Sequence, residues 1–360
     1  MAKNKKPVMP FSQVLDALLD KTQPFPAVHL HRFSDMHGSD LAQFKNAWAK
    51  VTAERRLGLL EDLEGLADAD TLVSFDEVAK NALLDSDARI RAGALRLLWE
   101  CDDARLIPTY LNMLEKDTVN VVRASAATAL GLFVFKGELE EIPAEILQKV
   151  EETLLKVEKS SEDPLVRRRA LESLGYSGRP EVAGLLREAY NAPDGEWQAS
   201  ALFAMGRSAD VQWEKLVLDR LDALETEVQL EAIRASGQLE LESARHLLIE
   251  MLQEYQELDE EIRMAAAWSL SQIGGNNVRE VLERLIENVE DEDESDYIET
   301  ALENLQFTED VPGFGMYDMI NAANVEDHTQ IVDLSLTDDD GDGDGDDEDE
   351  SSVDETPDLD

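Results

Sequence analysis

The 360-residue chain holds one cysteine, Cys101, so no disulfide can form within it. A lone thiol fits a reducing compartment. Aromatic residues make up only 6% of the sequence, which leaves Leu and Ala to carry the packing. No run of alternating apolar and polar residues marks a strand. No stretch approaches the roughly 20 apolar residues of a membrane span, and no N-terminal apolar segment reads as a signal peptide. The expectation is a soluble, cytoplasmic protein. Positive charge is missing from a whole region. After Arg284 there is no Lys or Arg, while the last 76 residues hold 29 Asp and Glu of a chain whose net charge is −46. Non-specific nucleic-acid binding and an anionic membrane surface both need clustered positive charge, so neither partner is expected.

Constellations for chemistry are lacking as well. There is no phosphate loop, nucleophile elbow or Ser/His/Asp arrangement. The histidines His29, His31, His37, His246 and His328 have no Cys or carboxylate at metal-ligand spacing. Asp338, Asp340, Asp342 and Gly343 begin like a calcium loop, but Gly345 and Asp349 stand where an apolar residue and a bidentate Glu belong. No catalytic, cofactor-binding or metal-binding residue is assigned, and the chain is expected to be non-enzymatic.

What is present is a repeated helical unit, clearest from Leu106 to Gly131. Leu106, Ile107, Tyr110, Leu111 and Leu114 fall on one helical face, with Pro108 near the start, where a missing N–H costs little. Asp117 breaks the pattern and offers a side chain to free N–H groups of the following helix. Val122, Ala126, Ala127 and Leu130 then form a second face. Gly131 either ends that helix or allows a close approach.

Anchored on Arg123, the same pattern recurs at Arg91, Arg167, Gln198, Gln229 and Arg263, with Ile298 a worn seventh. Three residues after each anchor stands alanine: Ala94, Ala126, Ala170, Ala201, Ala232, Ala266 and Ala301. Gly131, Gly175, Gly206 and Gly237 follow their anchors by eight. The anchors are spaced by 32, 44, 31, 31, 34 and 35 residues, and the 44 places an insertion around Glu138–Lys159. Such units bury their apolar faces only by stacking on one another.

The stretches VRASAATALG, VRRRALESLG and IRMAAAWSLSQIGG resemble HEAT repeats, in particular the short HEAT-like type named after phycobilisome lyases. The resemblance spans roughly residues 40–308. It implies an all-α, right-handed α-solenoid of about seven to eight helical hairpins. It also implies a structural ladder between repeats, built from a turn Asp and an Arg six residues on. Asp85/Arg91 and Asp117/Arg123 match, Glu257/Arg263 matches in part, and Gln198 and Gln229 depart from it.

The organisation follows. Residues 1–38 form an N-terminal arm, in which Phe11, Val14, Leu15, Leu18 and Leu19 make a short amphipathic helix. That helix either docks on the first repeat or acts as a detachable partner-binding segment. Residues 39–308 are the solenoid. Ser39 and Asp40 are expected to cap its first helix, and Leu57, Leu60, Leu63 and Leu66 to point inward from the second. Val73–Leu84 is the next first helix, and Ile142–Lys159 extends an outer one. Residues 309–337 are an irregular linker, whose segment Gln330–Ser335 resembles a SUMO-interaction motif. Residues 338–360 carry 14 acidic side chains and are expected to be disordered.

At 100° per residue, positions +1, +5 and +9 of each second helix point away from its apolar stripe. In HEAT-like solenoids that face lines the concave groove. It carries Arg168, Tyr176, Phe203, Arg207, Arg234 and Trp268, residue types favoured in binding hot spots. Phe203 and Trp268 equally suit packing against the next repeat. The expected function is a scaffold or adaptor that holds another protein along the concave face. The acidic tail tunes it by folding back over Arg167, Arg168, Arg169, Arg207 and Arg234. The alternative is a lyase-like accessory that attaches or handles a prosthetic group on a partner. A third reading is a buffer for basic proteins.

Overall fold

Every apolar stripe read from the sequence forms a helix, and consecutive helices pair. The computed structural model describes residues 9–160 and 162–310, and among these all regular structure is helical. Helix α1 (Phe11–Leu19) is followed by a 3-10 segment (Ala27–Phe33), α2 (Gly38–Trp48) and α3 (Ala53–Ala69). Seven hairpins follow. They are α4 (Asp76–Ala82) with α5 (Ala88–Leu97), α6 (Ile107–Lys116) with α7 (Asn120–Glu138), α8 (Ala144–Glu158) with α9 (Pro164–Leu174), and α10 (Pro180–Tyr190) with α11 (Gly195–Arg207). The last three are α12 (Glu214–Leu218) with α13 (Thr226–Gln238), α14 (Arg245–Gln253) with α15 (Glu260–Ile273), and α16 (Val278–Ile286) with α17 (Glu292–Asp310). Each second helix packs on its own first helix and on the second helices before and after it. With α2 and α3 as an irregular opening pair, the chain is an α-solenoid.

The seven anchor alanines sit at this stacking seam, and all seven are fully buried. A methyl group there lets neighbouring helix axes come close. The recurring glycines tighten the seam further. A Cβ at Gly175 would lie 2.7 Å from the Ala204 carbonyl oxygen, and one at Gly237 would lie 2.7 Å from Ser269 Cα. Gly131 is inside α7, and a Cβ there would lie 3.0 Å from Ser173 Oγ, so it serves close approach rather than helix termination.

The long 44-residue interval is not an added outer element. Helix α7 has 19 residues and α8 has 15, so the extra length goes into both helices of adjoining repeats. Helices α7, α11 and α13 are followed by Glu140 (φ +61°), Ala209 (φ +50°) and Glu240 (φ +51°), left-handed residues that turn the chain toward the next first helix.

Several local expectations are corrected. Helix α2 begins at Gly38, with Ser39 and Asp40 inside its first turn and no side-chain cap. Asp40 instead accepts a hydrogen bond from Arg32 at 3.3 Å. In α3, Leu59 joins Leu60 and Leu63 in the core, while Leu57 and Leu66 are only partly buried. Helix α4 covers Asp76–Ala82, and Leu84 is exposed. The true caps of α5, α9 and α11 are Asp87, Asp163 and Asp194, four residues before their anchors.

Helix α1 is packed, with Phe11, Val14, Leu15 and Leu18 buried. The Phe11 and Phe33 rings meet edge-on at 5.9 Å, and Phe33 meets Phe44 of α2 at 5.8 Å.

Candidate binding face and cleft

A run of side-chain bonds crosses from repeat to repeat near the starts of the second helices. Asp85 accepts from the Trp48 indole at 2.8 Å and from Arg56 of α3. Arg91 donates to both Asp117 oxygens, each at 2.8 Å. Arg123 donates to Glu162 at 2.6 Å and to the Leu114 carbonyl at 2.9 Å. The bridging acid belongs to the following repeat, so each Arg staples two units. In the middle the bridges stop. Gln198 and Gln229 bond the backbone carbonyls of Ala192 and Leu221 within their own repeats. The bridge resumes at Arg263, which holds Glu294 at 2.6 and 2.8 Å. Glu294 was not foreseen. It lies in a stretch whose Ile298 anchor is worn, and only the spacing of the previous repeats points to it.

The face expected to line a groove is more covered than the helical angle alone implies. Glu172, Arg207, Leu230 and Gln272 are buried. A neighbouring second helix in the stack covers them. Glu172 accepts from Ser200 of α11 at 2.6 Å, and Gln272 of α15 abuts Gly237 of α13. Arg168, Tyr176, Phe203, Arg234 and Trp268 remain half-buried along the same register. Most are engaged. Arg168 pairs with Glu196 across the α9–α11 seam at 2.7 Å, Arg234 pairs with Glu231 at 2.9 Å, and the Trp268 ring lies 6.0 Å from Tyr297. Arg167 and Arg169 are likewise held, by the Glu158 carbonyl at 2.6 Å and the Glu172 carboxylate at 2.5 Å.

Arg207 differs from its neighbours. Its guanidinium lies 3.8 Å from the Phe203 ring centre and 5.1 Å from that of Tyr176. Such stacking is a cation–π arrangement. Beside it opens a cleft of about 390 Å³ between the end of α7, the turn from α9 to α10, and the end of α11. Tyr176 and Arg207 line it together with Glu138, Arg179, Asp210 and Trp213, and Leu139, Val182 and Leu186 give it apolar walls. Of its side chains, sequence reasoning reached only Tyr176 and Arg207, because the rest come from turns, from first helices and from the far end of α7, outside the second-helix register. Arg179 follows the Gly175–Gly178 turn, and Trp213 directly precedes first helix α12.

Two acids near the cleft are tied to backbone. Glu138 accepts from the Gly178 N–H at 2.8 Å, and Asp210 from the Gln212 N–H at 2.9 Å. Burial pushes the Glu151 carboxyl above its usual range, although a hydrogen bond from Ser177 acts the other way. Among the described residues, no group of three or more His, Cys, Asp or Glu is placed to hold a metal ion. Nor is any described helix long and apolar enough to cross a membrane. The Gln330–Ser335 segment, the calcium-like stretch and the acidic tail lie outside the described residues, as does the Glu257 side chain.

The repeat pattern, the stacked hairpins and the seam agree with a family match. Residues 214–306 match the model for HEAT repeats. That stretch of the chain carries HEAT repeats. No curated protein matches it by sequence. Solved structures similar to this chain include YibA of E. coli, at 16% identity over 85% of this chain and 99% of that one, with a TM-score of 0.38. The complex of CpcE and CpcF of phycocyanin lyase from a Nostoc species is similar at 20% identity over 64% and 94%, with a TM-score of 0.42. Yeast importin-beta is similar at 12% identity over 82% and 46%, with a TM-score of 0.43. None of these transfers an activity or partner to the present protein.

Proposed function

We propose that this HEAT-repeat protein is a non-enzymatic scaffold, resident in the cytoplasm, that holds another protein along the exposed edge of its stacked second helices. The observation that carries the reading is the row of half-buried Arg and aromatic side chains in one register over α9, α11, α13 and α15. Tyr176, Phe203 and Trp268 supply broad contact area at low entropic cost. Arg168 and Arg234, already held by neighbouring acids, are pre-positioned to contact a partner without further ordering. The acidic tail adds a negative field that favours basic surroundings on that partner. Neither nucleic acid nor a membrane is part of this reading.

The test is affinity capture from source-cell lysate. The full chain is compared with Phe203→Ala/Trp268→Ala and with a chain ending at Thr337. Loss of captured proteins in the double variant, with retention in the shortened chain, is the expected result. Capture that survives the double variant and disappears with the tail overturns the reading.

A further inference from the structure

The cleft beside Arg207 contains two buried donors that the fold leaves without acceptors. Arg207 is 9% exposed and lines the cleft. Among the described residues its guanidinium has ring contacts but no hydrogen bond or ion pair, and its Nε is fully buried without a partner. Trp213 is 2% exposed and lines the same cleft, and its indole Nε1 is also buried without a partner among the described residues. A buried donor left unmade keeps its desolvation cost uncompensated, the more so if it is charged. Folding therefore carries a standing penalty here that an incoming acceptor would remove.

The charge balance limits what that acceptor is. Arg179 is already held by Glu181 at 2.7 Å. Arg187 stacks over the Trp213 ring at 4.6 Å and bonds Gln212 at 2.8 Å. Among the described residues the uncommitted cation in the cleft is thus Arg207, with Glu138 and Asp210 on the same walls. An incoming monoanion would give the Arg207 guanidinium the charged acceptor it lacks, with the least repulsion from Glu138 and Asp210. A phosphate dianion would meet repulsion that a single Arg does not offset. A guanidinium fork fits the two oxygens of a carboxylate. The remaining walls, Leu139, Val182, Leu186 and the Tyr176 ring, accept an apolar body, and the volume lies in the range of small-ligand clefts.

We infer that this cleft is a carboxylate-binding site, taking one carboxylate carried on an apolar or aromatic body against Arg207 and the Trp213 indole. The carboxylate comes from the terminus of a partner chain or from a free organic acid. The inference deepens the scaffold reading, and rests on it only for the peptide origin of the ligand.

The test is isothermal titration calorimetry on the full chain. The probes are 3-phenylpropionate against 3-phenylpropanamide, and N-acetyl-Gly-Leu-Phe with a free terminus against the same peptide amidated. Each acid is expected to bind about tenfold or more tightly than its amide, as a charged hydrogen-bonded pair in a partly dry site requires. Arg207→Met, which keeps the aliphatic stem, should erase that preference without a change in melting temperature. Trp213→Phe should reduce acid binding several-fold. The acid–amide comparison needs no variant, so it decides the matter even if Arg207→Met fails to fold. Binding by the free acid, the peptide or both identifies the source. Equal binding of acid and amide, or no binding of either acid up to about 10 mM, overturns the inference. If that happens while protein capture persists, the scaffold reading stands. Acid binding with no captured partner has the reverse meaning.

Discussion

Arg91 and Asp117 face each other across two successive repeats, with both guanidinium–carboxylate distances at 2.8 Å. Arg91 also donates to the carbonyls of Asp85 and Ser86 in its own turn, at 2.9 and 3.1 Å. One side chain therefore closes its own hairpin and fixes the next. In a repeat stack, stability is a sum of unit and interface terms, so such a bridge acts on the interface term. Arg91→Met and Asp117→Asn should each cost about 1–3 kcal/mol, because each leaves a largely buried partner unmade. The double variant should cost clearly less than the sum of the two. Urea unfolding of all four proteins checks this, and strict additivity would contradict the bridge.

The same pair sets a pH dependence. Desolvation raises the Asp117 carboxyl, but the hydrogen bonds from Arg91 and from the Val119 N–H outweigh it and hold the group below its ordinary 3.8. A carboxyl depressed in the folded state adds stability above its unfolded value. That stability is lost as pH falls through the folded value. The advantage of the natural protein over Asp117→Asn should thus be constant near neutrality and shrink below about pH 4. Glu158 has the opposite sign. Burial lifts it above 4.5 against the pull of Arg167, so its contribution is fully present below that value and lost as pH rises through the folded one. Glu158→Gln should compare best with the natural protein at neutral pH.

The stacking seam gives a contrast between glycines. Gly175→Ala sets a Cβ against the Ala204 backbone and should cost at least about 1–3 kcal/mol, as overpacking does. Gly184, inside α10, has nothing within 4 Å of such a Cβ. Gly184→Ala should therefore gain about 0.5–1 kcal/mol through helix propensity. Ala126→Leu, at a fully buried seam position, belongs with the costly changes, again by about 1–3 kcal/mol. Thermal melts of the three variants decide this. Tolerance of Gly175→Ala and Ala126→Leu would mean that the helices do not approach this closely in solution.

Cys101 gives a chemical probe of the same packing. Burial first, and then the Asp76 carboxylate 2.8 Å away, push its thiol from 9.0 up to about 11. The thiolate fraction at pH 8 should be about a hundredfold below that of a free thiol, with burial slowing reaction further. Native protein should alkylate slowly with iodoacetamide, and protein in urea quickly. Fast native labelling would show that the loop between α5 and α6 opens readily.

The fold was legible because its signal repeats. An alanine three residues past every anchor is a steric demand imposed seven times, and each instance is fully buried. The stapling Arg residues were legible for the same reason. The partners of Arg123 and Arg263 were not, because Glu162 and Glu294 stand where earlier repeats use Asp and the register has drifted. The candidate binding face was only half legible. Helical angle tells where a side chain points but not whether a neighbouring helix covers it, which is why Glu172 and Arg207 turned out buried. The cleft was the least legible part. Glu138, Arg179 and Trp213 reach it from three separate repeats, and no periodicity in the sequence links them.

The central claim is that a protein partner lies on the second-helix edge. The most direct measurement places a photo-crosslinking benzoylphenylalanine at Phe203, at Trp268 and, as a control, at Leu247, an exposed side chain on first helix α14. Each protein is irradiated in source cells. The account predicts covalent adducts with the same partner from positions 203 and 268, and none from 247. Adducts at 247 alone, or equally at all three, would contradict it.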